Sequence, residues 1–168
     1  MNPQAVDWAA IPGPTWYRPE DVVKAFADLL ASPPREDLDE GHGIRSAVGN
    51  DHAGTLCPAA VAGTDVLLGV IADHPGPPRQ IALCVLLDWW GCFHPEPGFE
   101  TYTGQEGETI DVITAIVERV GRATGALRAI AERDPHAGGL IRELIAAHGQ
   151  GWTVVGSSPD GNATDLRG

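Results

Sequence analysis

Apolar residues recur three or four positions apart over most of this chain, which is the spacing of one face of an α-helix. The clearest stripe covers about residues 109–133. Two earlier segments, about residues 58–73 and 78–91, are apolar on nearly every side. Helices of that kind are buried, so we expect these two to lie at the centre of the fold.

Three further helices are predicted from weaker patterns. One begins at Pro19 and ends at Ser32-Pro33-Pro34, a second covers about residues 35–48, and a third covers about residues 136–148. Proline suits the first turn of a helix and cannot continue one, so it marks both kinds of boundary. The pattern therefore predicts an all-α fold of about six helices.

The remaining segments lack a helical period. Residues 1–18 are rich in Pro and Trp and predict an extended N-terminal arm that packs Trp8, Ile11, Trp16 and Tyr17 on the core. The sequence GNDHAGTLC predicts a loop, and residues 91–108 predict a longer, acidic one. We expect one helical domain over residues 1–155 and a polar tail over residues 156–168.

Charge narrows the range of partners. The chain carries 23 acidic and 11 basic side chains, a net charge of −12. Nucleic-acid affinity depends largely on cationic side chains, so we predict no nucleic-acid partner. An acidic surface instead favours a basic protein partner. No apolar run is long enough to span a membrane, so no membrane partner is predicted.

The cysteines and short motifs exclude several chemistries. Three cysteines form no disulfide or zinc framework, which favours a reducing cytoplasm. Cys84 and Cys92 lie near His94, but structural zinc needs four ligands at tighter spacing, so no metal site is predicted. No glycine-rich nucleotide motif or common hydrolase motif is present, and no cofactor is predicted.

Two segments have the same order of features, which is the end of a helix, a turn that contains Asp, and an apolar helix. These segments are ADHPGPPRQIALCVLLD and AERDPHAGGLIRELIAA. A weaker third unit is LLASPPREDLDEGHGI. In chain order, the unit LLASPPREDLDEGHGI comes first and lies about 41 residues before the second unit, and the last lies about 59 residues after the second. The difference between these two spacings roughly equals the length of the acidic loop. Helical pairs that recur at this period are typical of HEAT and armadillo repeats.

The chain resembles small actinobacterial HEAT-like repeat proteins through IPGPTWYRPEDVV, NDHAGTLCPAAV and ADHPGPPRQIAL. The resemblance covers about residues 8–150. It implies an α-α superhelix of three helix pairs that serves as a scaffold for protein interaction. A minority of HEAT-like proteins are DNA glycosylases, which are basic, whereas this chain is acidic. DNA binding through the outer arginines of the long helix (Arg119, Arg122, Arg128 and Arg133) remains a third alternative.

The acidic loop is the predicted binding surface. Residues 80–118 contain no Lys or Arg, and long loops with aromatic residues are often functional. We expect one residue of the adjacent Trp pair to be core and the other to lie under the loop or to be an exposed anchor. The predicted binding residues are Trp89, Trp90, His94, Glu96, Phe99, Glu100, Tyr102 and Glu106.

Catalysis is the alternative. Cys57 would cap the helix that follows Pro58, where the helix dipole lowers a thiol pKa, with His52 as base and Asp51 orienting it. The plain alternative is a small buried residue before a helix start. In the catalytic or ligand-binding hypothesis, Asp51, His52, Cys57, Asp88, Trp89 and His94 would line a pocket between helices.

Overall fold

Helices account for most of the fold. The computed structural model describes residues 2–31 and 41–152. Six α-helices lie in these ranges: α1 Pro19–Leu30, α2 His42–Val48, α3 Ala59–Asp73, α4 Pro77–Cys92, α5 Val112–Arg133 and α6 Pro135–Gln150. α1, α4 and α6 each begin at a proline, whose fixed φ suits the first helical turn.

The predicted helices agree with these bounds to within a few residues, except at the second helix and at the start of the fifth. The predicted start of the second helix, the Ser32-Pro33-Pro34 stop of the first, and the polar tail over residues 156–168 lie outside the described residues. The mostly helical class is therefore confirmed, but the all-α description is incomplete because short strands are present.

The strands form two small sheets. Their bounds are β1 Gly49–Asn50, β2 Thr55–Leu56, β3 His94–Pro95, β4 Thr101–Thr103 and β5 Thr109–Asp111. β2 pairs antiparallel with β1 and parallel with β3, so the segment predicted as a plain loop before α3 is tied to the chain that follows α4. The predicted loop is therefore confined to the turn over residues 51–54, between two short strands that the prediction missed.

The predicted acidic loop is also built differently from the expectation. β4 and β5 pair as an antiparallel hairpin, with Tyr102 opposite Ile110. The predicted helix start near Thr109 is wrong because Thr109 belongs to β5, and α5 begins at Val112. Asp111 caps that helix by accepting a hydrogen bond from the Thr114 N–H at 2.7 Å.

The N-terminal segment is not extended. It forms two 3₁₀ turns, Pro3–Ala5 and Trp8–Ala10. Its aromatic residues nevertheless pack on the core as predicted: Trp8 stacks on Phe26 with ring centroids 5.9 Å apart, and the Tyr17 hydroxyl donates to Trp8 O at 2.9 Å. The segment therefore lies fixed against α1.

The four helices α3 to α6 pack together at the centre of the fold. α3 packs on α4 and α5, and α6 packs on α4 and α5, whereas α1 and α2 pack chiefly on each other. α3 and α4 carry the largest share of buried side chains, which confirms their predicted central position. No helix in the described ranges is both long and apolar enough to cross a membrane.

Candidate functional site

The Trp pair at the end of α4 is entirely buried. Trp89 is 0% exposed and Trp90 2%, so neither is an exposed anchor, and of the two alternatives for the pair the exposed anchor was wrong. The Trp90 Nε1 donates to Ala147 O at 3.0 Å and to Gly151 O at 3.2 Å. The end of α6 therefore covers the side of α4 for which the sequence pattern predicted no helix partner.

Trp152 completes this cover. Its ring lies 4.8 Å from that of Trp90, and its Nε1 donates to Phe93 O at 2.9 Å. Trp152 therefore connects the chain after α6 to the end of α4. A Trp just after the last helix was the signal available in the sequence, since large aromatic side chains are mostly buried.

Several predicted binding residues also make contacts within the fold. Glu96 accepts a hydrogen bond from the buried Thr55 hydroxyl, which joins the chain after β3 to β2. Backbone N–H groups of Glu100 itself and of Gly98 lower the pKa of Glu100, so its carboxylate is held by its own turn. His94 Nδ1 donates to Pro95 O at 3.2 Å, and Phe99 is half-buried.

Tyr102 and Glu106 lie in an open groove between the β4–β5 hairpin and the N-terminal segment, which we call the hairpin groove. Its volume is about 350 Å³. It is lined by Val6, Asp7, Ala10, Ile11, Pro12, Ala62, Tyr102, Thr103, Gly104, Gln105, Glu106, Glu108 and Ile110. The N-terminal wall was not part of the predicted site because it is distant from the hairpin in sequence.

The hairpin groove has an apolar floor and an acidic rim. Val6, Ile11, Tyr102 and Ile110 are half-buried and pack against the core. Asp7, Glu106 and Glu108 are exposed around them, and no Lys, Arg or His is among the described residues that line the groove. Two of the rim acids are held in place, since Asp7 accepts from the Ala10 N–H at 3.3 Å and Glu108 from the Glu106 N–H at 3.0 Å.

The predicted catalytic set does not come together. His52 is exposed, while Asp51 accepts hydrogen bonds from His42 Nδ1 at 2.7 Å and from Arg45 Nε at 2.9 Å. The partner of Asp51 is thus a histidine nine residues earlier in the chain. Arg45 also donates to Asp88 at 2.8 Å, so Asp88 belongs to this ion-pair network.

Cys57 is not an activated thiol. Its side chain is 0% exposed and donates to Val48 O at 3.1 Å. Burial raises the pKa of Cys57 to about 12, although the N–H groups of Ala59 and Ala60 at the helix start act in the opposite direction. Desolvation therefore outweighs the helix terminus, and the plain alternative of a small buried residue describes Cys57.

Within residues 2–31 and 41–152, no group of three His, Cys, Asp or Glu side chains could hold a metal ion. The described residues form a mostly helical fold with two small sheets and an acidic, apolar-floored groove. Comparison with family models, with curated proteins and with solved structures finds no match in any of the three.

Proposed function

We propose that the protein is an interaction module that binds a basic protein partner in the hairpin groove. The observation that carries this proposal is the combination of a half-buried apolar floor with three exposed acids and no base among its described lining residues. Protein interfaces combine an apolar centre with a polar rim, and complementary charge at the rim speeds association and rejects wrong partners.

The chemistry of the groove defines the segment it fits. Its volume of about 350 Å³ accommodates a few apolar side chains rather than a whole domain. The partner segment is therefore expected to insert aliphatic or aromatic side chains that are flanked by Lys or Arg. An inhibitor or immunity-type role against a basic toxin belongs to this class.

The helix arrangement supports a scaffold role. Packing of α3 on α5 and of α4 on α6 is the neighbour pattern of stacked helix pairs, as in the proposed HEAT-like superhelix. The hairpin is inserted between the second and third pairs. The pairs would then supply a rigid support, and the insertion would supply the binding surface.

The alternative of an inter-helix enzyme pocket has less support. Two of its proposed lining residues, Cys57 and Trp89, are fully buried, and Asp88 is paired with Arg45. A pocket lined by these side chains would require the core around α4 to open. The hairpin groove needs no such opening, because its rim acids are already exposed.

The test compares two variants with the same change in net charge. E106K/E108Q alters the groove, and the glutamine that replaces Glu108 keeps an oxygen that can accept the backbone N–H of residue 106. The control, E132K/E143Q, alters exposed acids on α5 and α6. Each tagged variant is used to capture proteins from a lysate of the source cell, and the captured proteins are quantified by mass spectrometry.

We expect a basic protein to be captured by the parent chain and the control but not by the groove variant. The same protein, once purified, should bind the parent chain with an affinity that falls as salt rises. Equal capture by both variants, or loss of capture in the control alone, would show that the groove is not the binding surface.

A further inference from the structure

Three polar side chains around α2 contact one another in a row that is separate from the hairpin groove. His42 and Ser46 are four residues apart on one face of α2, and His42 Nε2 lies 3.5 Å from Ser46 Oγ. The other ring nitrogen, Nδ1, donates to Asp51 Oδ2 at 2.7 Å. The Ser46 hydroxyl, the His42 imidazole and the Asp51 carboxylate therefore lie in a row, each in contact with the next.

The hydrogen bond to Asp51 decides the protonation pattern of the ring. A carboxylate can only accept from Nδ1–H, so in the neutral ring the Nε2 lone pair faces the Ser46 hydroxyl. This is the tautomer that a general base needs, because it can accept the hydroxyl proton. A distance of 3.5 Å is at the long end for this contact, which commonly shortens when substrate binds.

The carboxylate is itself fixed. Asp51 Oδ1 accepts from Arg45 Nε at 2.9 Å, and Arg45 is held in turn by Asp88 at 2.8 Å. Burial alone would raise the pKa of Asp51, but the hydrogen bond from His42 and the charge of Arg45 lower it below its ordinary value. Asp51 is therefore ionised and oriented at neutral pH.

Ser46 opens into a cleft between α1 and α2 with a volume of about 220 Å³. Lys24 lines this cleft and forms an exposed ion pair with Asp28 at 2.6 Å. Exposed pairs of this kind are weak, so the ammonium group can turn toward a new negative charge in the cleft. Asp21 lines the same cleft. Together with Asp28 it repels negative charge, which disfavours an anionic substrate.

We propose that Ser46, His42 and Asp51 form an acyl-transfer site for small, uncharged carboxylic esters. Ser46 Oγ attacks the ester carbonyl carbon while its proton passes to His42 Nε2. The bond to the leaving alcohol then breaks, and His42 returns the proton to the alcohol oxygen. Water next attacks the acyl-Ser46 ester through the same base, which releases a carboxylic acid and restores the serine.

The role of each group follows from its position. Ser46 is the nucleophile, His42 the general base and acid, and Asp51 the group that holds the ring. Lys24 is the cation available to the oxyanion. A cleft of about 220 Å³ holds roughly seven water volumes, so the acyl group is limited to a few carbon atoms.

The experiment treats the full chain with a fluorophosphonate probe, from which an activated serine displaces fluoride, and locates the adduct by peptide mass spectrometry. The variants are S46A, H42Q and D51N, and the control is H52Q, an exposed histidine outside the site. Near-ultraviolet circular dichroism of each variant checks that the fold is retained. Hydrolysis of p-nitrophenyl acetate is measured on the same samples.

We expect the adduct on Ser46, with the labelling rate of H42Q and D51N at least about tenfold below that of the parent chain and of H52Q. S46A should lose both the adduct and the ester hydrolysis above background. No adduct on Ser46 in the folded parent chain, or equal labelling in H42Q, would overturn the proposal and leave an ordinary surface ion pair.

Discussion

Burial controls the reactivity of the described cysteines. Cys57 lies at the start of α3 but is enclosed, and its thiol donates to a main-chain carbonyl. Cys92, at the end of α4, is exposed. Because the thiolate is the reactive form, a cysteine that cannot ionise or meet solvent stays inert whatever its position on a helix.

A thiol titration checks this difference. With Ellman's reagent under native conditions, we expect Cys92 to react rapidly and Cys57 only after denaturant is added, because burial raises the pKa of Cys57 to about 12. The variant C92A should lose the rapid phase, whereas C57A should keep it. Rapid modification of Cys57 in the C92A variant would contradict the burial of this thiol.

The carboxylate of Asp51 makes stability depend on pH. Burial acts to raise its pKa, but the hydrogen bonds from His42 and Arg45 outweigh burial and hold the pKa below the ordinary value of 3.8 in the folded chain. The unfolded chain then binds a proton first as pH falls. The contribution of Asp51 is complete above the unfolded pKa and is lost as pH falls through the folded one.

D51N removes this titration. Between about pH 6 and about pH 2.5 the melting temperature of the parent chain should fall more steeply than that of D51N, as followed by circular dichroism. At pH 6 the variant should already be less stable, because Arg45 loses an anionic partner. Parallel curves for the two proteins would show that Asp51 does not supply the difference.

Residue roles were the hardest part to predict from the sequence. The pattern indicated that Asp51 matters, but it paired this residue with its neighbour His52, whereas its partners His42 and Arg45 lie on the preceding helix, α2. The exposed-anchor alternative for Trp90 was wrong because the end of α6 covers this side chain. Contacts between distant segments depend on how the helices pack, which no local period encodes.

Helices were predictable because each has many residues whose apolar positions repeat. The strands were not, because each has only two or three residues and takes its hydrogen bonds from a distant segment, as β2 does from β3. Asp134 lies in the predicted Asp-containing turn, between α5 and α6. The structure shows that it also caps α6 by accepting from the His136 and Ala137 N–H groups at 3.1 and 3.2 Å.

Arg79 joins three helices at this cap. It begins on α4, donates to Ile71 O at 2.6 Å near the end of α3, and donates to Asp134 at 2.6 Å before α6. Its side chain is only 9% exposed. A single Arg on an otherwise apolar helix was the signal for such a role, since a buried guanidinium needs several acceptors.

Replacing Arg79 by Met keeps the apolar stem but removes the donors. We expect R79M to lower the free energy of unfolding by about 2–3 kcal/mol, because charged hydrogen bonds are lost and the carbonyl of the buried Ile71 loses this donor. Urea denaturation measures this value. R133M, which removes an exposed Arg at the end of α5, is the control and should change stability by less than about 0.5 kcal/mol. Equal loss in both variants would refute a special role for Arg79.

The order of the helices along the chain could be predicted from the spacing of apolar residues. That spacing does not determine how the helices are arranged in the whole molecule. The HEAT-like superhelix remains a proposal: the second and third pairs have the neighbour contacts it requires, and α1 and α2 pack chiefly on each other. The hairpin groove needs two segments about 95 residues apart, and only the tertiary fold brings the N-terminal segment to the hairpin.

The net charge of −12 also acts on the molecule as a whole. Acidic side chains outnumber basic ones about two to one, so repulsion opposes the compact state and is screened by salt. Raising NaCl from about 10 mM to about 200 mM should therefore raise the melting temperature by roughly 2–4 °C, which corresponds to about 1 kcal/mol for a chain of this size.

Partner binding should respond to salt in the opposite direction. Screening relieves repulsion within the chain, but it also weakens attraction between the acidic rim of the groove and a basic segment. Thermal melts and binding isotherms over one NaCl series therefore separate the two effects.

Near the isoelectric point of about 4.7 the stabilisation by salt should disappear, because the net charge does. A melting temperature that falls with added salt at neutral pH would mean that ion pairs such as Arg79–Asp134 dominate over the net repulsion.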